Sequence, residues 1–408
     1  MSKDNKKTAN LAAKYVIIGN SAGAIGCVEG IRRVDPQGEI LLLADEPYHT
    51  YSRPLISYLL LGRTDKQRML YRPADFYEQN QVQTLLGPEA KVEQIDPKDK
   101  QLRLADGRTK GLDSVKKCFT FMSLADAEAL QAAITPQSRV LVVGAGLIGL
   151  KCVEGIAESV MEVCVVDLAD RVLSSILNAE AAAVMQRYLE GRGIKFIMGD
   201  CVAEFKENVA VLQNSGQQLE FDVLVMAVGV RPNSGLLAAA GAECDRGVLV
   251  DEHCQTSLPE VWAAGDCTQG FDLVSGERRI LALLPNAYMQ GDCAGANMAG
   301  QVEEFCTGMA MNSIGFWDKH IMSAGAYEGE ALVSTSADGE NYKCLFVKEN
   351  RLVGYILVGD VARAGIYTAL IRERQELSAV DWQLLQSKPQ LMALGLAKRR
   401  QQLGGIEA

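Results

Sequence analysis

The sequence predicts an α/β protein built from two parallel-sheet units and a separate α+β domain toward the C-terminus. Three observations predict it. A short apolar run that stops at glycine and opens a helical stretch occurs twice, at Lys14–Gly19 (KYVIIG) and at Arg139–Gly144 (RVLVVG). Each is followed by a second apolar run ending in acids, Glu39–Leu43 before Asp45 and Glu46, and Glu162–Val166 before Asp167. From about Met309 the pattern changes to shorter strands, Glu330–Ser334, Lys343–Lys348 and Leu352–Gly359, closed by a helical Ala362–Arg374 and a charged tail. Strand, helix, strand within some thirty residues calls for a crossover connection and hence a parallel sheet.

In the first unit the helix runs from the glycine turn to Arg33, and Pro36-Gln37-Gly38 breaks the chain before the second strand. Between the two units, Val82–Arg108 alternates weakly and carries the turn signals Asp96-Pro97 and Asp106-Gly107, which predicts a small antiparallel meander. The second unit repeats the first, with a helix to Ser159 and the strand EVCVV.

Length and composition bound the rest. At 408 residues the chain holds two or three domains of roughly 150 residues each. Its 48% hydrophobic and 23% charged residues are those of a globular protein with a large core, which excludes a disordered or fibrous chain. A net charge of -10 repels nucleic acid and anionic membrane, so neither is expected as a partner. Met1–Lys14 is polar and lysine-bearing, and no stretch has about 18 uninterrupted apolar residues. The expected compartment is the cytoplasm. Eleven cysteines without a C-x-x-C pair are expected to be mostly buried thiols. His49, His253 and His320 lie far apart with no ligand spacing, so no metal is assigned.

A pyrophosphate needs backbone N–H groups at close range and is favoured at a helix N-terminus, so the turn before the helix must be made of small residues. Gly144-Ala145-Gly146-Leu147-Ile148-Gly149 is the full G-x-G-x-x-G between strand and helix, and Asp167 follows where a ribose hydroxyl acceptor is needed. An acid there favours NAD over NADP. The first turn, Gly19-Asn20-Ser21-Ala22-Gly23-Ala24, places Ser21 and Ala24 where the second and third glycines would stand, with Glu46, or its rival Asp45, as the acid. Both units therefore read as Rossmann-like dinucleotide-binding domains.

Two such units in one chain resemble the pyridine nucleotide-disulfide oxidoreductase superfamily, and further segments carry the resemblance. Thr256–Asp266 (TSLPEVWAAGD) is similar to the family's second FAD fingerprint, in which a strand delivers an aspartate to the ribityl chain. Ala227–Asn233 (AVGVRPN), with Gly229, is similar to the stretch that closes the NAD domain, and Pro285–Gly291 (PNAYMQG), with Gln290, to the helix start near the flavin. The resemblance implies an FAD domain at 14–117 and 235–308, an NAD domain at 118–234 and an interface domain at 309–408. It implies FAD and NAD(H) as cofactors.

Tyr51-Ser52-Arg53-Pro54-Leu55 is similar to the branch of NADH:rubredoxin reductases, oxygenase ferredoxin reductases and nitrite reductase flavin domains. The disulfide reductases carry a cysteine pair early in this domain; here Ile40–Lys117 has no cysteine. The resemblance thus implies hydride transfer between NAD(H) and FAD and onward transfer to a carrier such as rubredoxin, ferredoxin or another iron-sulfur protein. The alternatives are a flavoprotein subunit of a larger iron-sulfur or metalloenzyme complex, or an NADH oxidase. The C-terminal domain leaves open a homodimer or a place in such a complex, with Phe316 and Trp317 as core or as a docking patch.

Two departures stand out. Where the resembling reductases have a lysine after the R-P pair and a glutamate after the second G-x-x-G, this chain has Tyr58 and Lys151. Lys151 is expected to supply a positive charge to reduced flavin or to orient the nicotinamide, or else to be an exposed helix lysine. Arg53 and Pro54 are expected to be flavin-loop residues rather than an ordinary loop anchor. At Thr109–Lys110 the chain is about twenty residues shorter than the family pattern, which there has a strand ending in A-T-G and a linker.

Overall fold

The computed structural model describes residues 13–104 and 117–395. The Asp106-Gly107 turn, the Thr109–Lys110 junction and the end of the charged tail lie outside the described residues.

The first unit begins with β1 (Tyr15–Ile18), α1 (Ala22–Val34) and β2 (Ile40–Ala44). A 3-10 turn at Arg53–Leu55 leads into α2 (Ile56–Leu60), and α3 (Phe76–Gln79) precedes β3 (Val82–Leu86). These strands form a parallel sheet in the order β1-β2-β3, with Tyr15 opposite Ile40 and Ile40 opposite Val82. The expected meander is therefore only half right. β2 is buried at every residue and needs a partner on each edge for its N–H and C=O groups, so Val82–Leu86 pairs with it in parallel. The antiparallel part is the hairpin β4 (Val92–Asp96) and β5 (Gln101–Leu104). Its turn is held by Asp96 Oδ1, which accepts N–H bonds from Lys98 at 3.0 Å and Asp99 at 3.1 Å.

The second unit contains β6 (Cys118–Phe119), α4 (Leu124–Ala133), β7 (Arg139–Val143), α5 (Leu147–Ile156), β8 (Glu162–Asp167), α6 (Ala179–Glu190) and β9 (Lys195–Met198). A three-stranded antiparallel excursion, β10 (Val202–Lys206), β11 (Val209–Leu212) and β12 (Gln218–Glu220), leads to β13 (Val223–Met226). The main sheet is parallel throughout, in the order β6-β13-β7-β8-β9. Its centre is apolar on both faces: Val140, Val142, Val163 and Val165 pack with Leu130, Val153 and Met185 of the helices, and Leu141, Val143 and Val166 pack with Ala210, Leu212 and Phe221 of the antiparallel excursion and the turn after it.

The chain then returns through α7 (Gly235–Ala239), β14 (Val248–Leu249), β15 (Thr268–Phe271) and β16 (Arg278–Arg279) to α8 (Leu284–Met298). The helices α1 and α8 pack backbone to backbone. A Cβ at Gly26 would stand 2.1 Å from the Tyr288 carbonyl oxygen, and one at Gly295 2.2 Å from that of Cys27. The strand expected over Thr256–Asp266 is not formed. Among the described residues that segment has one bridge, Gln255 to Trp262, and β1 has no strand on its outer edge. β1 therefore keeps an open edge, and Val16 and Ile18 on it stay 37% and 41% exposed.

The C-terminal part is a five-stranded antiparallel sheet in the order β17-β18-β21-β20-β19, made of β17 (Met311–Phe316), β18 (Lys319–Gly325), β19 (Glu330–Thr335), β20 (Tyr342–Lys348) and β21 (Arg351–Val358). Helices α9 (Gly365–Arg372) and α10 (Trp382–Ser387) follow. The first two strands were not legible, because Asn312, Ser313, Gly315 and His320 interrupt the apolar alternation. One face of the sheet packs on α9, where the Tyr355 and Thr368 hydroxyls lie 2.8 Å apart. The other face shares a core with the second unit: Phe316, Ile321, Ile356 and Val358 pack with Val153, Ile156 and Met185.

All eleven cysteines are free thiols, five buried and six partly exposed, so burial is less complete than expected. Among the described residues no helix is long and apolar enough to cross a membrane.

Candidate functional site

Both glycine-rich turns open on one cleft of about 3010 Å³. That is about three times the upper end of the usual range for a single small-molecule pocket, roughly 1,000 Å³, and suits two extended ligands. It is walled by β1, the 3-10 turn at Arg53–Leu55, the start of α5, the loop after β13 and the segment Pro259–Asp266.

The first turn is shaped by Gly19, whose φ of +101° carries the chain off β1 while its N–H donates to Leu43 O at 2.8 Å. No atom lies within 4 Å of the place where its Cβ would be, so a ligand can reach the backbone. Asn20 fixes the turn from behind: its Nδ2 donates to Tyr48 O at 2.9 Å and its Oδ1 accepts from the hydroxyls of Thr50 and Tyr77. Ser21 is the N-cap of α1 and its hydroxyl makes no capping bond. Ala22, Gly23 and Ala24 form the first helical turn, which carries no acid, and all three line the cleft. The amides and the dipole of α1 are thereby left to an anion.

In the second turn the three glycines divide the work. Gly144 has φ +116° and lies so close to Ala227 O, 2.2 Å from a would-be Cβ, that no side chain fits. Gly146, the N-cap of α5, faces open space, and Gly149 packs so closely on Gly144 that a Cβ there would stand 2.0 Å from its carbonyl oxygen. Gly146, Leu147 and Ile148 line the cleft, whereas Gly149 lies behind it. Asp167 ends β8 and also lines the cleft; its Oδ2 accepts from Ala145 N–H at 2.6 Å and its Oδ1 from Ala169 N–H at 2.8 Å. A carboxylate accepts about four hydrogen bonds, so capacity for ribose hydroxyls remains.

Between the turns, Glu46 accepts from the Tyr51 hydroxyl at 2.9 Å and from the Arg53 guanidinium, which also donates to Met122 O at 2.8 Å and lies over the Tyr51 ring at 5.3 Å. Burial pushes the Tyr51 phenol up to about 12. Pro54 is the second residue of the 3-10 turn that leads to α2. Asp45, the rival acid, is exposed and also reaches the cleft. Arg53 thus anchors the loop through Glu46 and also lines the cleft.

Asp266 also lines the cleft. Solvent reaches it through the cleft, but the surrounding protein raises its carboxyl pKa, an effect that Arg53 opposes. Gln290 does not line the cleft. It is 2% exposed and its Oε1 accepts from Gly265 N–H at 2.8 Å, so it shapes the Gly265–Asp266 turn from beneath. Pro285, in the first turn of α8, and Gly229, in the loop after β13, do line the cleft.

Lys151 is not an exposed helix lysine. Its side chain is 12% exposed and pairs with Glu154, whose side chain is wholly buried. Glu154 was missed in the sequence, although an acid on the face of α5 that carries Leu150 and Val153 is itself a signal. Ser57 was missed as well. It is 1% exposed, lines the cleft, and its Oγ has no hydrogen-bond partner.

The residues fit FAD and NAD(H). Two helix N-termini with unengaged amides suit two pyrophosphates, the strand-end acids suit two riboses, and the unpartnered Ser57 hydroxyl gives a polar atom for the ligand between them. Two thiols at the cleft are held protonated: burial pushes Cys27 up to about 12 and Cys267 up to about 11, away from the reactive thiolate range.

Comparison with known proteins agrees. Residues 13–291 match the family described as pyridine nucleotide-disulphide oxidoreductase, and residues 308–375 match the rubredoxin NAD+ reductase C-terminal domain. The chain is 28% identical, over 90% of its length and 93% of the relative's, to the epsilon subunit of NADH-dependent phenylglyoxylate dehydrogenase of Aromatoleum evansii. It is 31% identical, over 64% of its length and 72% of the relative's, to a nitric oxide reductase FlRd-NAD(+) reductase of Aeromonas salmonicida. The crystal structure of a covalent putidaredoxin reductase-putidaredoxin complex contains the same fold, with a TM-score of 0.82, 22% identity, and 93% of this chain and 97% of that one covered. This group of proteins binds FAD and NAD(H). With two dinucleotide turns on one cleft and a family match across most of its length, the chain belongs to the pyridine nucleotide-disulphide oxidoreductase family.

Proposed function

We propose that the chain is an FAD-dependent oxidoreductase that moves hydride between NAD(H) and FAD and passes electrons to a redox carrier of the rubredoxin or ferredoxin kind. The observation that carries this reading is the single cleft shared by both phosphate-binding turns, with no cysteine from Ile40 to Lys117 to serve as a thiol relay. The names of relatives, an FlRd-NAD(+) reductase and a putidaredoxin reductase in complex with putidaredoxin, support the carrier class.

In this reading Gly19, Ser21, Ala22, Gly23, Ala24, Glu46, Arg53 and Asp266 hold FAD, with Pro54, Pro285 and Gln290 shaping the surrounding loops. Gly144, Gly146, Leu147, Ile148, Gly149, Asp167 and Gly229 hold NAD(H). Bound FAD supplies the chemistry, taking two electrons as a hydride and releasing them singly. The protein aligns the two rings, excludes water and, through Lys151, sets the charge at the cleft wall. Residues 14–117 and 235–308 serve as the FAD domain, 118–234 as the NAD domain and 309–408 as the interface domain. Eleven free thiols support a reducing compartment, the cytoplasm.

Anaerobic titration of the purified yellow protein tests this. NADH bleaches the flavin band, NADPH does so far less well, and an oxidised iron-sulfur carrier restores it. A colourless protein after reconstitution with FAD, or a flavin that NADH leaves oxidised, overturns the proposal.

A second reading, a flavoprotein subunit within a larger complex, is favoured by the phenylglyoxylate dehydrogenase epsilon subunit, of whose length the chain covers 93%. Dye-linked NADH turnover without turnover of any free carrier, together with co-purification of iron-sulfur subunits from the native host, would establish it.

A further inference from the structure

Lys151 lies one turn into α5 and forms part of the cleft wall. Its ammonium donates to the Glu154 carboxylate and, at 3.1 Å, to the Gly315 carbonyl, and it faces the Tyr58 ring at 4.4 Å. An ammonium has three N–H donors, so one remains for whatever occupies the cleft. The other Glu154 oxygen accepts the Trp317 N–H at 2.7 Å. Trp317 belongs to the turn between β17 and β18, so the C-terminal domain clamps this carboxylate through its backbone.

The arrangement is asymmetric. The negative end has no exposed surface and the positive end borders the cleft. A buried pair of this kind carries no net charge but presents a fixed dipole, positive end outward, in a medium where charges are weakly screened. A bare lysine there would act as a full positive charge; Glu154 reduces it and holds it in one place.

We propose that Glu154 is a positioning residue for the redox reaction: clamped by the Trp317 amide, it aims the Lys151 ammonium at the cleft and sets how much positive charge the flavin experiences. The inference rests on the reading of the cleft as a flavin and nicotinamide site. It makes the C-terminal domain a part of that site, since the clamp comes from it.

The test compares the flavin midpoint potential of the parent holoprotein, Glu154→Gln and the double variant Lys151→Met/Glu154→Gln, by dye-coupled reductive titration. Glutamine keeps an oxygen for the Trp317 N–H and removes the negative charge, so Glu154→Gln raises the potential above the parent's by favouring anionic reduced flavin. The double variant removes the positive end as well, and its potential falls below the parent's. Its rate of reduction by NADH falls about 10-fold or more. Potentials in Glu154→Gln and the double variant equal to the parent's, or an increase that persists without Lys151, overturn the proposal. Should Glu154→Gln fail to fold, the double variant, in which both charges are gone, decides alone: a potential unchanged from the parent's refutes it. A parent protein that binds FAD and is bleached by NADH, with potentials indifferent to both variants, refutes this inference and leaves the proposed function standing. A parent that binds no flavin refutes both.

Discussion

Asp167 Oδ2 accepts the backbone N–H of Ala145 at 2.6 Å, so the acid at the end of β8 braces the phosphate-binding turn that it also serves. Asp167→Ala removes the brace together with the proposed ribose acceptor. A hydrogen bond to a charged group contributes about 1.5–3 kcal/mol, and the expected outcome is a rise in KM for NADH of roughly 10- to 100-fold. Flavin content, set by the other turn, stays at the parent's level, which absorbance ratios check alongside steady-state kinetics.

Ser57 separates ligand binding from folding. Its Oγ is buried without a partner, so Ser57→Ala removes a desolvated hydroxyl that the protein alone does not satisfy, and the FAD-free protein keeps or gains stability. FAD retention falls. Thermal unfolding of the FAD-free form and a flavin binding isotherm, measured side by side, give opposite signs for the two effects.

Gly26 tests the backbone contact of α1 and α8. With a Cβ placed 2.1 Å from the Tyr288 carbonyl oxygen, Gly26→Ala forces the helices apart. The expected loss is about 3 kcal/mol or more, with a fall of roughly 5–10 °C in the thermal midpoint and loss of flavin, because α1 carries the first phosphate turn. A midpoint unchanged from the parent's contradicts the packing.

Asp200 links stability to pH. It accepts N–H bonds from Cys201 at 2.8 Å, Asn214 at 2.8 Å and Ser215 at 3.0 Å, and the Ser215 hydroxyl bond at 2.7 Å. These bonds, that of Asn214 first, hold its carboxyl at about 2, below the ordinary 3.8. A carboxyl lowered in the folded state stabilises it fully above the unfolded value, and this contribution is lost as pH falls through the folded value. Acid unfolding of the parent therefore steepens from pH 3.8 down to about 2, and Asp200→Asn flattens that part of the curve in denaturant titrations at stepped pH.

The two dinucleotide units were legible because the chemistry of phosphate binding leaves a local signature: Gly144, Gly146 and Gly149 each meet a different steric demand within six residues, and Asp167 closes the strand. The roles of Glu154 and Gln290 were not legible as such. Glu154 matters because of Trp317, more than 150 positions away, and Gln290 because of the Gly265 amide; neither contact has a local pattern. The parallel pairing of Val82–Leu86 was hidden for a similar reason, since it depends on the second edge of β2 needing a partner. The strand expected over Thr256–Asp266 failed in the other direction: a motif describes the chain that carries it, not the neighbour with which a ladder must form.

The seam between the C-terminal sheet and the second unit has a consequence for engineering. Phe316 and Ile356 lie in one interior with Val153 and Ile156, so the last hundred residues are not a detachable cassette. A truncation at Met309 would lay bare the flank of α5, the helix that begins at the second glycine turn, and a graft from a related reductase would fit only if α5 travelled with it.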